Sequence, residues 1–216
     1  MSWRSLLAAQ SRQPSGLIGR LFMGPYLDRA NRRINDLVYA ALALPSHAQV
    51  LEIGFGGGLN LPYYNRDEVR RVFGLEPSEG MRQSAASNIE ASGIDVELIN
   101  LPGEEIPLDD NSVDSVLVTY TLCTIPDAVA ALRGMRRVLK PGGHLFFCEH
   151  GKAPDADVHK WQQRFNGIWR RFAGGCNINR DIPELLHQGG FRIEDDNRMY
   201  IPGIKALSYN FWGAAR

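Results

Sequence analysis

Val50-Leu51-Glu52-Ile53-Gly54-Phe55-Gly56-Gly57-Gly58-Leu59-Asn60 reads as a buried strand that runs straight into a glycine turn. The first four residues are apolar and partly β-branched, with one acid among them. The glycines that follow let backbone approach a ligand closely, because no Cβ stands in the way. A dinucleotide-binding turn needs a third glycine five residues after the first. Counted from Gly54 that position is Leu59, and from Gly56 it is Leu61, which disfavours a nicotinamide or flavin dinucleotide. A carboxylate at Glu52 does nothing for a diphosphate, but it suits a positively charged ligand or the bracing of the turn.

Outward from this turn, short apolar runs alternate with amphipathic segments. Residues 72–75, 96–99, 113–119 and 145–149 read as further strands, the last after the turn Lys140-Pro141-Gly142-Gly143-His144. Residues 78–91 form a helix capped by Ser78, with Met81, Ala85 and Ile89 on one face, and Asp127 begins a second helix that runs to 139. Asp181 starts a third, closed at Gly189-Gly190, and 191–199 and 208–214 are the last two strands. Strands separated by helical crossovers predict an α/β fold, a doubly wound, seven-stranded, mostly parallel sheet covered on both faces. Ahead of it, residues 17–44 carry apolar residues at helical intervals, divided by Gly24-Pro25, so 1–47 is expected to be an N-terminal helical cap on a sheet domain over 48–216. A helical insertion over about 151–180 carries Trp161, Phe165, Ile168, Trp169 and Phe172. This stripe reads first as helix packing and second as the wall of a pocket.

The composition narrows the class. The 216 residues hold 24 Lys plus Arg against 24 Asp plus Glu, so there is no net attraction to nucleic acid. Arg29, Arg32 and Arg33 read as a solvated helix face, with peripheral membrane contact through the N-terminal helices as the alternative. Cys123, Cys148 and Cys176 are far apart, without CxxC or a nearby histidine in the sequence, so neither a metal site nor a disulfide framework is expected. No apolar run is long enough to span a bilayer, and the first 16 residues lack a signal core, which points to a cytoplasmic protein. Nothing in the pattern speaks to oligomeric state.

Glu76 ends the second strand, 24 residues after Glu52. In a doubly wound sheet its carboxylate lies beside the tip of the first strand, where it can accept hydrogen bonds from both hydroxyls of an adenosine ribose. The loop after the third strand, beginning Leu101-Pro102-Gly103-Glu104, is positioned to pass the adenine, with the Gly103 to Glu104 backbone and the Glu104 side chain facing its polar edge.

Together, LEIGFGGGLN, GLEPS, GEEIPLDDNSVDSVLVTYTLC and RVLKPGGHLFFCEH resemble the class I S-adenosylmethionine-dependent methyltransferases over roughly residues 48–150. Their acid-x-Gly-x-Gly-x-Gly strand exit is matched by Glu52, Gly54, Gly56 and Gly58. The resemblance implies S-adenosyl-L-methionine as cofactor. It places its methionyl part beside Gly54 and Gly56, its ribose on Glu76 in the Glu76-Pro77 turn, and its adenine at Gly103 or Glu104. Thr119 and Tyr120 would line the cavity beyond the fourth strand. Further on, TLCTI, CEH, WQQ and GCNINR are similar to the methyltransferase-like subfamily that includes thiol methyltransferases and has phospholipid methyltransferases as more distant relatives. Animal members carry a hydrophobic N-terminal anchor where this chain has the polar, interrupted residues 1–16.

Methyl transfer from a sulfonium is a direct displacement, so alignment is the protein's main task. A thiol acceptor also needs help to become thiolate, and His150, at the ligand-side end of the fifth strand, is the first candidate; His144 lies at the other end. Tyr120, Asn177 and Asn179 are expected to orient the acceptor, and Trp161, Phe165 and Trp169 would favour a small lipophilic one. Base methylation is disfavoured, since Thr119-Tyr120-Thr121-Leu122 lacks the Asn or Asp-Pro-Pro-aromatic arrangement. The rivals are a nicotinamide-dependent oxidoreductase, for which no Tyr-x-x-x-Lys is present, and a non-catalytic module that binds an adenosyl ligand or phospholipid.

Overall fold

The computed structural model describes residues 47–216. The expected helices of 17–44 and the Arg29, Arg32 and Arg33 cluster lie outside the described residues. Seven strands follow in chain order: β1 (Ala48–Ile53), β2 (Val69–Leu75), β3 (Asp95–Ile99), β4 (Val113–Thr119), β5 (Leu139–His150), β6 (Ile193–Tyr200) and β7 (Tyr209–Ala215). Four helices connect them: α1 (Glu79–Ser92), α2 (Ala128–Val138), α3 (Ala156–Phe172) and α4 (Ile182–Gln188).

The strands form one sheet in the order β3-β2-β1-β4-β5-β7-β6. β1 pairs in parallel with β2 on one side and β4 on the other, and only β7 runs against its neighbours. The strand order therefore reverses between β1 and β4, with β2 and β3 added outward on one side and β5 on the other, which opens a crevice at their carboxyl ends. That crevice receives the glycine turn after β1, Glu76 after β2 and the Thr119-Tyr120 exit of β4.

Local chemistry sets the element boundaries as expected. The Ser78 hydroxyl accepts from the Met81 amide at the start of α1, and Asp127 and Asp181 cap α2 and α4 through the amides of Ala130 and Glu184. Gly93, in the left-handed region at φ 64°, ends α1. The largest boundary difference is at β5. β5 begins at Leu139 and takes in the whole Lys140 to Gly143 stretch that reads as a turn in sequence. The Lys140 ammonium pairs with Asp114 at 2.7 Å, and Leu139 stands opposite Val113, so β4 holds this glycine-rich segment in the ladder.

Both faces of the sheet are covered. On one side Ile53, Val116, Val118 and Phe147 pack against Leu132, Met135 and Val138 of α2 and Ile182 and Leu186 of α4. On the other, Val50, Phe55, Val72 and Leu117 pack against Ala85 of α1, Leu61 and Tyr64. α2 and α4 approach so closely that a Cβ on Gly189 would stand 2.4 Å from the Leu132 Cβ. Leu132 has no exposed surface. Its truncation leaves a cavity that neither helix can close, so Leu132→Ala should lower the unfolding free energy by about 2–5 kcal/mol, read from urea denaturation.

Candidate active site

The glycine turn is braced from below by Glu52. Its carboxyl group is buried, taking a hydrogen bond from Asn60 Nδ2 at 2.7 Å and another from the Tyr64 hydroxyl at 3.1 Å. Asn60 also reaches Thr119 Oγ1 at 3.1 Å, so the exits of β1 and β4 are tied through one amide. Burial raises the Glu52 pKa to about 7 against the pull of its two donors. Of the two tasks expected of Glu52, the structure shows the bracing one.

The glycines divide the work. At Gly54, with φ 72°, a Cβ would stand 2.0 Å from Thr121 Oγ1, so the missing side chain admits Thr121. At Gly56, with φ 57°, a Cβ would meet only Met81 Cε at 3.4 Å and the Gly54 carbonyl oxygen at 3.7 Å, so the backbone there is open to close approach. Gly58 packs against Leu61 and Phe55.

Glu76 sits where the sheet reversal predicts. One carboxylate oxygen accepts from the Ser78 amide at 2.8 Å and the other from the Gly56 amide at 3.0 Å. A carboxylate offers about four lone-pair sites, so two stay available once both amides are satisfied. The group is thus fixed in place beside the turn and can still accept from a vicinal diol, and in this respect the residues fit the ribose of S-adenosylmethionine. Pro77 is exposed next to it. The Gly103 segment is held down by Ile125, whose Cδ1 lies 2.7 Å from where a Gly103 Cβ would be. Glu104 accepts from the Asp127 amide at 3.1 Å, which uses part of its carboxylate to steady the start of α2.

At the far side of the crevice, Tyr120 leaves β4 at φ 50°, donates its hydroxyl to Asn210 Oδ1 at 2.7 Å, and stacks on His150 with ring centroids 6.1 Å apart. His150 is half-buried at the end of β5, and its Nε2 lies 3.2 Å from Cys176 Sγ. Burial disfavours an imidazolium there, but the Cys176 sulfur and Glu149 outweigh it and raise the pKa. The Cys176 thiol is held well below its ordinary range, first by the Cys123 thiol and then, against burial, by the charge of His150. Glu149 is fully buried. Its Oε1 accepts from the amides of Thr121 and Leu122 at 2.7 and 2.9 Å, while burial raises its pKa to about 7.

Two expectations change. Asn177 does not face an acceptor: it donates to the Cys123 and Gly175 carbonyls and accepts from Asn166, which engages its whole amide inside the GCNINR turn. The cysteines are not all remote from one another and from histidine, since Cys123, His150 and Cys176 place their donor atoms within 4.8 Å of one another. Distance along the chain conceals this, because the neighbours β4 and β5 deliver Cys123 and His150 to one edge and the turn after α3 supplies Cys176. His144 lies mid-way along β5, six residues before His150, beside Glu194 at 3.3 Å.

Comparison with known proteins agrees with this geometry. Residues 51–147 match a family described as a methyltransferase domain. The chain is 34% identical over 146 residues to human thiol S-methyltransferase TMT1B and 31% identical to human TMT1A, in each case over 66% of this chain and 59% of the relative. It thus spans less than two thirds of these curated relatives. A demethylmenaquinone methyltransferase of Listeria monocytogenes is 40% identical over 100 residues, covering 46% of this chain and 41% of that protein. Among solved structures, an S-adenosylmethionine-dependent methyltransferase of Leishmania major superposes with a TM-score of 0.70 at 18% identity, over 100% of this chain and 83% of that one. The YcgJ protein of Bacillus subtilis superposes with 0.66 at 15%, over 85% and 95%. These two show the fold.

The buried Glu52 yields a stability test. Between the ordinary carboxylate value of 4.5 and about 7, the folded chain keeps a proton on Glu52 that the unfolded chain has lost. Stability therefore falls as pH rises through that window, by about 3 kcal/mol for one such group. Glu52→Gln should remove that share of the slope, measured as unfolding free energy from pH 4.5 to 8, and leave the share due to Glu149.

Proposed function

The chain belongs to the class I S-adenosylmethionine-dependent methyltransferases, and on that footing we propose that it transfers the donor's methyl group to the sulfur of a small thiol. The observation that carries the donor half is the Glu76 carboxylate, fixed by the Gly56 and Ser78 amides with acceptor capacity left for a ribose diol. The thiol half is supported by the two human relatives, named as thiol S-methyltransferases.

S-adenosylmethionine supplies an activated methyl group on a positively charged sulfur. The chain's residues then have four tasks. Glu76 holds the ribose, and the Gly103 amide with the free part of Glu104 holds the adenine edge. The open backbone at Gly56 admits the methionyl end, with Gly54 keeping Thr121 close beneath it. Thr119 and Tyr120 line the side from which the acceptor must come. His150, stacked on Tyr120 and with its pKa raised by the Cys176 sulfur and Glu149 against burial, favours a thiolate over a thiol beside it when protonated. To act as the proton-accepting base, its Nε2 would first have to leave Cys176.

Two measurements test this reading. Glu76→Ala should weaken binding of S-adenosylmethionine at least tenfold in calorimetric titration, with the fold checked by circular dichroism; equal affinity in the variant would remove Glu76 from the donor site. With labelled donor and a panel of small thiols, amines and quinols, methyl thioethers should dominate the product, and label appearing only in amines or quinols would move the acceptor atom away from sulfur.

A further inference from the structure

We propose that Cys123, His150 and Cys176 form a three-ligand site for a thiophilic divalent cation, zinc being the natural occupant, whose fourth position takes the acceptor thiol. The site rests on geometry alone; its use in the reaction rests on the thiol reading above.

The donor set is the first observation. Two thiols and one imidazole lie within 4.8 Å of one another, with Cys176 Sγ and His150 Nε2 at 3.2 Å. In a tetrahedral zinc site the ligand distances set sulfur-to-sulfur and sulfur-to-nitrogen separations of roughly 3.5–3.8 Å, so small side-chain movements suffice. Thiolate and imidazole ligands select zinc over magnesium or calcium. Three protein ligands with one position left is the pattern of reactive zinc sites, whereas structural sites close with four.

The frame around the trio is independently rigid. The Cys123 carbonyl accepts from both the Asn177 amide and its side chain, which staples the Cys176 turn to the exit of β4. Asn166 of α3 accepts from the Ile178 amide and donates to Asn177 Oδ1. His150 is the last residue of β5, with its ring stacked on Tyr120.

A second, separate observation points to a cation. Glu149 Oε2 is buried and has no hydrogen-bond partner among the described residues, and Glu149 interacts electrostatically with both Cys123 and Cys176. A buried carboxyl oxygen with no hydrogen-bond partner, beside two thiols, is poorly accommodated without positive charge. Arg180 supplies some, donating to the Leu122 carbonyl beside the cluster. A dication with two thiolates and a neutral imidazole is charge-balanced, and a third thiolate from the acceptor would meet Arg180.

The chemistry follows. On binding, the acceptor S–H bond breaks, its proton leaves to solvent and its sulfur coordinates the ion as thiolate. A sulfur lone pair then forms the new bond to the methyl carbon, the bond from that carbon to the sulfonium breaks, and its electron pair stays on the departing sulfur. The products are a methyl thioether and S-adenosylhomocysteine. Thr121 links the cluster to the donor turn, with its amide on Glu149 and its side chain against Gly54.

Cobalt(II) is the probe. The metal-stripped full chain should take up one cobalt with a near-ultraviolet sulfur-to-cobalt charge-transfer band and visible bands of tetrahedral intensity, both lost on adding zinc. Cys123→Ser and Cys176→Ser should each remove most of the charge-transfer band and weaken binding at least tenfold, with folding checked by circular dichroism, while Cys148→Ala keeps the band. Equal cobalt uptake in the two serine variants overturns the site, as does a Cys123–Cys176 disulfide forming while cobalt fails to bind the reduced chain. A small thiol should shift the cobalt spectrum and be methylated at least tenfold faster by the zinc-loaded chain. An unshifted spectrum, or an equal rate from the stripped chain, overturns the role in the reaction. If the spectrum shifts but no methyl thioether forms from any thiol, the ion site stands and the methyl-transfer reading fails.

Discussion

The reversal of strand order between the parallel neighbours β1 and β4 is the constraint on which the rest of the molecule depends. Two adjacent parallel strands whose neighbours are added in opposite directions cannot both be closed over at their carboxyl ends, so a crevice forms there whatever the side chains are. The sequence then places its chemistry at those ends: four glycines after β1, Glu76 after β2, Thr119 and Tyr120 after β4, and Glu149 and His150 at the end of β5. A crevice is an opening in the backbone, and its walls must be held apart. Glu52, Asn60 and Thr119 do this between β1 and β4, and Glu149 does it between β5 and the turn after β4.

Both bracing carboxyl groups are buried, and that has a consequence for how the site behaves. An acid surrounded by apolar strands tends to keep its proton, and only the amides and hydroxyls aimed at it oppose this. At Glu52 and Glu149 burial wins, and both are raised to about 7. The turn and the crevice wall are therefore poised near neutral pH, with two charges available or absent beside a region that must receive a positively charged donor. Glu76 differs in geometry: its two amides meet one oxygen each, whereas both amides at Glu149 meet Oε1, so each Glu76 oxygen keeps acceptor capacity toward a ligand.

The parts written locally were legible in the sequence. The strands of the β1 to β5 half, the caps Ser78, Asp127 and Asp181, and the place of Glu76 follow from alternation, capping chemistry and strand order, which depend on few residues at a time. Beyond reach were the features that need knowledge of which chain segments meet. Asn177 looks in sequence like a polar residue ready for an acceptor, yet it satisfies carbonyls in its own turn and on the β4 exit. Cys123 and Cys176 look isolated because nothing in their spacing records that the turn after α3 folds back over the tips of β4 and β5. The sequence signal that was available is modest: TLC, CEH and GCN each follow a strand or helix end on the ligand side of the sheet.

α3 shows why periodicity alone left its role open. Trp161, Phe165, Ile168 and Phe172 fall on one stripe, and such a stripe normally turns inward. Here it faces out, with Ile168 at 60% and Phe172 at 68% of their full exposure. The adjacent stripe, Gln162, Asn166 and Trp169, faces in. Gln162 accepts from the Ala153 amide and donates to the Gly151 and Ala206 carbonyls, Asn166 receives the Ile178 amide, and Trp169 packs on Cys123, Cys176 and Ile178. Loops leave backbone groups unpaired, and a helix that packs on loops must bring amides to them even at the expense of burying its own apolar residues. The inward polar row thus fixes the turn that carries Cys176 against β4 and β5. In the outward apolar row Trp161 and Phe165 stack on each other with ring centroids 4.4 Å apart, while Ile168 and Phe172 stay largely exposed. Hydrophobicity marks a face on a helix, but the hydrogen-bonding demand of the neighbours decides which way that face turns.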